Sequence, residues 1–547
     1  MNRYRLLFSM ILLLFLSSCL RAGEWQWSVT LDGFVSNETN RNPTAFLWIP
    51  ADCMQVKAII VGQHNMSEET LFDNPLFREK MQKLGIGFVW ITPGIDQQWD
   101  VSKGTQQIFE KMMVSLADVS GYSELKNVPI VPIGHSAMAT YPWNFAAWNP
   151  ERTLAIISLH GDAPRTNLTG YGRENLEWGR TRNIDGIPGL MIEGEYEWWE
   201  ARVNPALAFR MMYPESCISF LCDAGRGHFD VADETAAYIA LFLEKAINQR
   251  LTDEVTKDGK VKLNPVNPAK GWLAERWHPD QKKRAKAAPY SQYKGDPHDA
   301  FWYFDREIAE ATEERYTQSR GKQQQYLGFE QNGNLLTYDK KQHVRVQPRF
   351  NPEADGITFH LKAVCTDSLR TQLSDEHADA TPVISRICGP VEKVNDTTFM
   401  VSFYRMGMNN PRRTGDICLL ASQAGDRKYK SAVQEVSIRI PYRNTEGQRQ
   451  YILFPGLPDV KAGSGSLSLK ATSDCGLPVS YYIKEGPAEI EGDQIVFTPI
   501  PPRSKYPVKV TVVAWQYGIA CKVQTAEPVE RSFYILQTVS NIISLKR

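Results

Sequence analysis

The stretch Val128-Pro-Ile-Val-Pro-Ile-Gly-His-Ser136-Ala-Met-Ala-Thr140 decides the fold of the first part of this chain. Its apolar run predicts a buried strand, which stops at Gly-His-Ser before residues that are compatible with a helix. A serine on a sharp strand-to-helix turn keeps its hydroxyl exposed if its neighbours are small. Gly134 and Ala137 are small. In the motif Gly-x-Ser-x-Gly, Met138 occupies the position of the second glycine. We expect its side chain to crowd the following helix.

Apolar segments further along the chain predict strands that also end in polar residues. Leu154–Gly161 predicts the next strand, Ile187–Gly194 predicts one that ends in carboxylates, and Cys217–Gly225 predicts a last one that is followed by His228. Ser136, a carboxylate and His228 thus occur in this order along the chain, each after a predicted strand.

This order of serine, acid and histidine resembles the α/β-hydrolase family, in particular its single-domain esterase and dienelactone-hydrolase-like branches, over about residues 25–248. The resemblance implies an α/β fold with a mostly parallel sheet flanked by helices. It implies that Ser136 is a nucleophile and that His228 takes and returns its proton. The alternatives are a turn serine in a non-catalytic domain and a solvated loop histidine. No cofactor is expected, and no catalytic metal, because His64 and His160 lie outside any metal-type spacing.

Two glutamates are candidates for the acid of the triad. Family members often carry Gly-x-x-Asp after the corresponding strand, and Gly194-Glu-Tyr-Glu197 has that spacing with glutamate. Glu197 is therefore the first choice and Glu195 the second. The requirement is a buried carboxylate that accepts a hydrogen bond from the imidazole Nδ1–H and fixes its tautomer. For either residue the alternative is a surface carboxylate.

The oxyanion hole of this family consists of two backbone N–H groups. One belongs to the residue after the serine, which is Ala137. The other belongs to a loop after an earlier strand, and the apolar segment that ends at Gly62 makes Gln63, His64 and Asn65 the candidates. His64 and Asn65 are favoured over Gln63.

Aromatic residues near the expected site indicate the class of substrate. Flat rings stack on sugars, and arginine binds carboxylates in a bidentate manner. The alternative for the aromatic residues is packing of the helix after the serine. The segment between Asp162 and Asp185 is too short for a lipase-type lid, which favours a small acyl group. The predicted substrate contacts are Tyr141, Trp143, Trp198, Trp199 and Arg165.

The N-terminus has the pattern of an export signal. Arg3 and Arg5 precede the short apolar run Leu6–Leu16, which is too short to favour a transmembrane helix. Leu16-Ser-Ser-Cys19 resembles a bacterial lipobox, in which Cys19 is the lipidated first residue of the mature chain. Cleavage by an ordinary signal peptidase is the alternative. We expect a lipoprotein of the periplasm or outer membrane.

The length of 547 residues requires several domains. After a signal peptide with lipobox (1–22) and the hydrolase domain (23–250), a polar passage predicts a connector with one helix (251–324). Alternating segments then predict a β-rich domain (325–461). The last unit (462–547) resembles the immunoglobulin-like modules at the C-termini of exported bacterial glycan-processing proteins.

Composition narrows the partners. Lys and Arg together number 62, as do Asp and Glu. This balance of charge argues against nucleic acid as a binding partner. The sequence as a whole predicts an exported serine esterase that removes acetyl or methyl esters from a polysaccharide. Two alternatives stay open. One is an exported serine peptidase, and the other is a non-catalytic glycan-binding lipoprotein, which Met138 slightly favours.

Overall fold

The apolar segments around Ser136 pair into one eight-stranded sheet with the order β1-β2-β4-β3-β5-β6-β7-β8. The computed structural model describes residues 24–36, 39–165, 175–197, 200–278, 282–408 and 415–538. Strand β2 pairs antiparallel with β1 and β4, and β3 to β8 pair in parallel. The strands are β1 (Trp27–Thr30), β2 (Thr44–Trp48), β3 (Ala58–Gln63), β4 (Ile86–Thr92), β5 (Ile130–His135), β6 (Ile156–Leu159), β7 (Pro188–Gly194) and β8 (Cys217–Asp223).

Helices cover both faces of this sheet. Successive residues of a strand point to opposite faces, so Ile60 and Ile59 of β3 enter two different core clusters. Helix α3 packs in one of these clusters, and α1, α2, α5 and α6 pack in the other. The predicted α/β class, with its mostly parallel sheet, is confirmed. The helices are α1 (Ser67–Asp73), α2 (Pro75–Leu84), α3 (Thr105–Ser120), α4 (Tyr141–Trp148), α5 (Glu200–Met212), α6 (Asp233–Arg250) and α7 (Arg306–Thr317).

The segment 251–324 has more structure than a connector with one helix. Its aromatic residues Phe301 to Tyr303 form a strand, and α7 begins only at Arg306, where the Asp305 side chain accepts the Ile308 amide at 3.3 Å. Phe301 stacks on Phe220 of the large sheet. The segment therefore extends the hydrolase core. Its strands are β9 (Leu251–Val255), β10 (Val261–Leu263), β11 (Trp272–Glu275), β12 (Ala288–Pro289) and β13 (Ala300–Tyr303).

Antiparallel strands dominate the next part of the chain. They form three three-stranded sheets around one apolar cluster. Alternation of apolar and polar residues places one face of each strand in that cluster. The strands are β14 (Tyr326–Gln331), β15 (Asn334–Leu335), β16 (Thr358–His360), β17 (Lys362–Thr366), β18 (Val383–Cys388), β19 (Val391–Lys393), β20 (Thr398–Val401), β21 (Asp416–Gln423) and β22 (Ala432–Arg439). We call residues 325–440 the middle β unit.

A four-stranded and a three-stranded sheet enclose a further core near the C-terminus. Val510 and Phe533 of the larger sheet and Ile495 of the smaller sheet belong to this one cluster, as in a sandwich of two sheets. The strands are β23 (Ile452–Leu453), β24 (Val460–Lys461), β25 (Ser466–Ser468), β26 (Thr472–Ser473), β27 (Ser480–Glu485), β28 (Ala488–Glu491), β29 (Gln494–Phe497), β30 (Val508–Trp515) and β31 (Val529–Leu536).

Among the helices that the structure describes, none has the length and apolar character needed to cross a membrane. The predicted signal segment and Cys19 lie outside the described residues.

Candidate active site

Ser136 lies on a tight turn at the carboxyl end of β5. Its φ of 52° is in the left-handed region, and residues Ser136–Met138 form a single 3-10 turn. Gly134 makes this turn possible, because a Cβ atom there would lie 1.9 Å from the carbonyl oxygen of Met138. The chain therefore doubles back after β5 and presents the serine at the edge of the sheet.

Met138 does not crowd the following helix as the sequence predicts. Its side chain is buried and turns toward a neighbouring loop, where its methyl group would lie 2.6 Å from a Cβ atom at Gly94. The turn after β5 approaches the loop after β6 closely at Ala139, one residue later. The Ala139 methyl group would lie 2.0 Å from a Cβ atom at Gly161. The turn therefore needs no glycine at position 138.

The structure brings Ser136, His228 and Glu197 together in one hydrogen-bonded row. The Ser136 hydroxyl lies 2.8 Å from Nε2 of His228, and this nitrogen accepts a hydrogen bond from the hydroxyl. On the other side of the ring, Nδ1–H of His228 donates to the Glu197 carboxylate. This geometry suits a serine nucleophile, a general base and an orienting acid.

Glu195 faces away from His228. Its carboxylate pairs with Lys430 of the middle β unit at 2.7 Å, and it accepts the Gly225 amide at 2.8 Å and the Ser319 hydroxyl. The Glu195 and Lys430 side chains are each only 4% exposed. Of the two candidate acids, Glu197 therefore contacts His228, and Glu195 joins the hydrolase part to the middle β unit.

A second imidazole also binds Glu197. The ring of His160 follows β6 and donates from Nδ1 to the other carboxylate oxygen, which also accepts the Gly194 amide at 3.0 Å. Burial alone opposes ionisation, but the two adjacent imidazoles hold the pKa of Glu197 well below its usual value. Glu197 is thus a carboxylate shared between His160 and His228.

Burial and neighbouring charge set the protonation of the histidines. Burial lowers the pKa of His228, although Glu197 opposes this effect. Burial also opposes protonation of His160, but the contact with Glu197 prevails and raises its pKa. His135 is fully buried beside the serine, and burial together with the other two imidazoles lowers its pKa well below the usual value. A neutral His228 is the form that accepts a proton from Ser136.

A buried network of hydrogen bonds supports the turn that carries Ser136. The Asn65 side chain donates to the His135 carbonyl at 2.8 Å, and the His135 ring lies 2.7 Å from the His228 carbonyl. Glu68 accepts the His135 amide at 2.6 Å, and burial raises the pKa of this carboxyl to about 8. The loops that carry Asn65, Ser136 and His228 are therefore linked to one another.

The candidate oxyanion loop differs from the prediction at His64. The His64 amide donates to the Ile91 carbonyl at 2.8 Å because the pairing of β3 with β4 continues beyond the strand, so this amide is already used. The Gln63 side chain accepts the amides of Ile95 and Asp96 at 2.7 and 2.9 Å and holds the neighbouring loop. The backbone amides of Ala137, Asn65 and Gln63 remain the predicted donors.

The predicted aromatic contacts after the serine are wrong. Tyr141 and Trp143 have no exposed surface, since α4 packs between the two core clusters of the sheet. The Trp143 indole donates to the Asp162 carbonyl at 2.9 Å. Arg165 lies 5.6 Å from the ring centres of both Trp178 and Tyr213. Trp198 and Trp199 lie outside the described residues.

Two residues near the site were not predicted. His160 ends the predicted strand Leu154–Gly161, and its position at the carboxyl edge was the signal for it. His343 comes from the middle β unit, and its ring centre lies 5.5 Å from that of His228. No pattern in the sequence connects His343 with a serine about two hundred residues earlier.

The same cluster is the place where the described residues would hold a metal ion. Ligating atoms of His160, Glu197 and His228 lie within 4.8 Å of one another. Both Glu197 oxygens already accept hydrogen bonds from the two rings, and the other nitrogen of His228 contacts Ser136. The arrangement therefore matches a triad with an additional histidine.

Comparison with solved structures finds similarity to serine hydrolases over part of the chain. FphF, a fluorophosphonate-binding serine hydrolase of Staphylococcus aureus, shares 10% identity at a TM-score of 0.28, covering 41% of this chain and 100% of its own. Est1E from Butyrivibrio proteoclasticus shares 18% at a TM-score of 0.26, covering 40% and 99%. The enterobactin esterase FES of Shigella flexneri shares 12% at a TM-score of 0.30, covering 41% and 59%. No family model and no curated protein sequence matches the chain.

The strand order, the turn after β5 and the hydrogen-bonded row define the class of this protein. It has an α/β-hydrolase fold with a Ser-His-Glu arrangement at the carboxyl edge of the sheet. The middle β unit that follows packs directly against this edge.

Proposed function

We propose that the protein is a serine esterase that removes acetyl or methyl esters from a polysaccharide. The observation that carries the proposal is the hydrogen-bonded row Ser136, His228 and Glu197. Support for a glycan comes from the C-terminal resemblance to modules of glycan-processing proteins. The proposal includes export and a lipid anchor at Cys19, as the N-terminal pattern predicts.

The reaction would proceed by acyl transfer in two halves. Ser136 Oγ attacks the ester carbonyl while Nε2 of His228 takes its proton, and Glu197 stabilises the imidazolium that forms. The amides of Ala137 and the Asn65 loop would bind the oxyanion. His228 then returns the proton to the leaving alcohol, which leaves an acyl group on Ser136. Water, deprotonated by His228, releases the acid and restores the serine.

Turnover of p-nitrophenyl acetate by the chain without its signal segment tests the proposal. Replacing Ser136→Ala removes the nucleophile, and we expect kcat to fall by roughly three orders of magnitude or more. The matched control is Ser466→Ala, an exposed serine on β25, which should leave kcat unchanged.

Two outcomes would contradict the proposal. If the parent cleaves peptide substrates and not acetyl esters, the protein is a serine peptidase. If the parent turns over neither these substrates nor acetylated and methylated polysaccharides, the hydrolase part is not catalytic, and a glycan-binding role takes first place.

A further inference from the structure

A loop of the middle β unit reaches the catalytic histidine. This loop, residues 336–350, is the first part of the connection from β15 to β16, and Val344 packs in one apolar cluster with Phe229, Tyr196 and Met66. Phe229 and Tyr196 are chain neighbours of the catalytic His228 and Glu197, and Met66 follows the predicted oxyanion loop. The loop is therefore anchored against both flanks of the serine.

His343, beside Val344, projects next to the site. Its ring centre lies 5.5 Å from His228 and 5.2 Å from Phe229, and the residue is exposed. The atoms that pack around the His343 ring remove part of its water and so lower its pKa, although Glu197 opposes this effect. A neutral imidazole can both donate and accept hydrogen bonds, and so it can bind the hydroxyl groups of a sugar ring. His228 delivers its proton to the leaving alcohol, so a group beside it contacts the alcohol portion of an ester.

Positive charge lies on the same loop and the adjacent turn. The exposed Arg345 donates to the Tyr338 hydroxyl at 2.6 Å. The guanidinium of Arg370 is held between Tyr326 and Tyr338, at 4.6 and 4.8 Å from their ring centres. Among the described residues, the side chain of Arg345 makes one hydrogen bond, to Tyr338, and most of its five N–H donors can contact a ligand.

The carboxyl group of Glu435 interacts electrostatically with both arginines, and Asp339 and Asp367 lie on the same loop and turn. Burial and the negative charge of Glu197 raise the pKa of Glu435, against the effect of Arg345 and Arg370. The loop 336–350 itself carries four basic residues and one acidic residue, so its net charge is positive and favours an anionic ligand.

We propose that the loop 336–350 supplies a binding subsite for the sugar that carries the ester, and that this sugar belongs to an acidic glycan. His343 contacts hydroxyl groups of the ring next to the scissile bond, and Arg345 pairs with a sugar carboxylate by charge-assisted hydrogen bonds. The inference rests on the proposed esterase function for the role of His228. It assigns substrate selection to the middle β unit.

Kinetics on three esters test the subsite in the chain without its signal segment. The substrates are acetylated polygalacturonate oligomers, acetylated xylo-oligosaccharides and p-nitrophenyl acetate. For Arg345→Gln we expect kcat/KM for the acidic oligomer, relative to the neutral one, to fall roughly ten-fold through KM. For His343→Ala we expect both oligomers to lose roughly ten-fold relative to p-nitrophenyl acetate.

Matched variants separate a subsite from a structural role. Arg345→Lys keeps the charge and should retain part of the preference for the acidic oligomer. His360→Ala and Arg439→Gln change exposed residues on other strands of the same unit, β16 and β22, and should leave all three ratios unchanged. Ratios for Arg345→Gln and His343→Ala equal to those of the parent would overturn the proposal.

A binding measurement distinguishes failure of the subsite from failure of the esterase proposal. In the Ser136→Ala background, calorimetric titration with the acidic oligomer should show binding that Arg345→Gln weakens roughly ten-fold. If the parent hydrolyses no ester but this binding and its loss are seen, the subsite stands and the esterase proposal fails. Binding that is absent, or indifferent to Arg345, overturns the subsite.

Discussion

Glu197 organises the candidate site, since its two oxygens accept hydrogen bonds from two different imidazoles. His160 is 1% exposed, and among the described residues its Nε2 atom has no hydrogen-bond partner. Arg202 donates to the His160 carbonyl at 3.0 Å and so holds the backbone at this point. His160 is therefore placed to position the Glu197 carboxylate and to influence the charge on His228 through it.

The pH dependence of kcat/KM tests this role. The base must be neutral, and because burial lowers the pKa of His228, activity in the parent should be lost only as the pH falls below 6.5. His160 itself lowers the pKa of His228, so His160→Asn should raise that pKa and move the acid limb to higher pH. The control is His360→Asn, which changes an exposed residue on β16. An acid limb that stays in place in His160→Asn would show that His160 only fills space.

The short turn after β7 serves two purposes. Residues Glu195–Glu197 form a 3-10 turn, on which Glu197 faces the triad and Glu195 faces the middle β unit. The Tyr196 hydroxyl between them donates to the Ser431 carbonyl, next to Lys430. One element thus carries the candidate acid of the triad and an anchor for the next part of the chain.

Replacing Lys430→Met tests the anchor. The substitution leaves Glu195 buried without this counter-charge, and loss of one partner of a buried pair costs about 3–5 kcal/mol. We expect the free energy of unfolding in urea to fall by that order. Lys484→Met, which removes an exposed pair with Glu530, should change it by less than about 1 kcal/mol. A Lys430→Met value as small as that of the control would mean that the pair adds nothing to stability.

Among the described residues, three buried ion pairs join the hydrolase part to the middle β unit. Besides Glu195 with Lys430, Arg405 pairs with Asp73 at 3.2 Å, and Arg386 pairs with Glu69. The C-terminal sandwich is attached as well, since the Gly486 amide donates to the Trp25 carbonyl at 2.9 Å. Separation of these parts would expose several charges that have partners only in the intact molecule.

Thermal unfolding should consequently occur in one cooperative transition. Parts that share buried charges lose their partners together, so none is stable alone at the temperature where another unfolds. Differential scanning calorimetry of the chain without its signal segment measures this, with intrinsic tryptophan fluorescence as a second probe. Two resolved heat-absorption peaks would show that the β-rich parts unfold independently.

The strand pattern and the order of polar residues predicted the large sheet and the place of Ser136 and His228. The strands follow from a local rule, because continuous apolar runs predict buried strands, and the family resemblance predicted the order of the residues that end them. The family spacing Gly-x-x-Asp made Glu197 the first choice, but nothing local excluded Glu195. The two residues lie on one turn, and Glu195 is committed by Lys430, which lies 235 positions further along the chain.

The aromatic residues after the serine show the same limit. Tyr141 and Trp143 have the composition of a sugar-binding rim, but α4 lies between two core clusters and buries them. A pattern of residue types records which side chains are apolar, whereas their exposure depends on what packs above them.

The sequence by itself determined the α/β class, the strand that carries Ser136 and the loop that carries His228. Only the tertiary structure decided which glutamate contacts His228, that His160 shares this glutamate, and that His343 comes to the site from the middle β unit. The physical reason is distance along the chain. Strands and turns form from neighbouring residues, while these contacts join segments that meet only after the sheets have packed against one another.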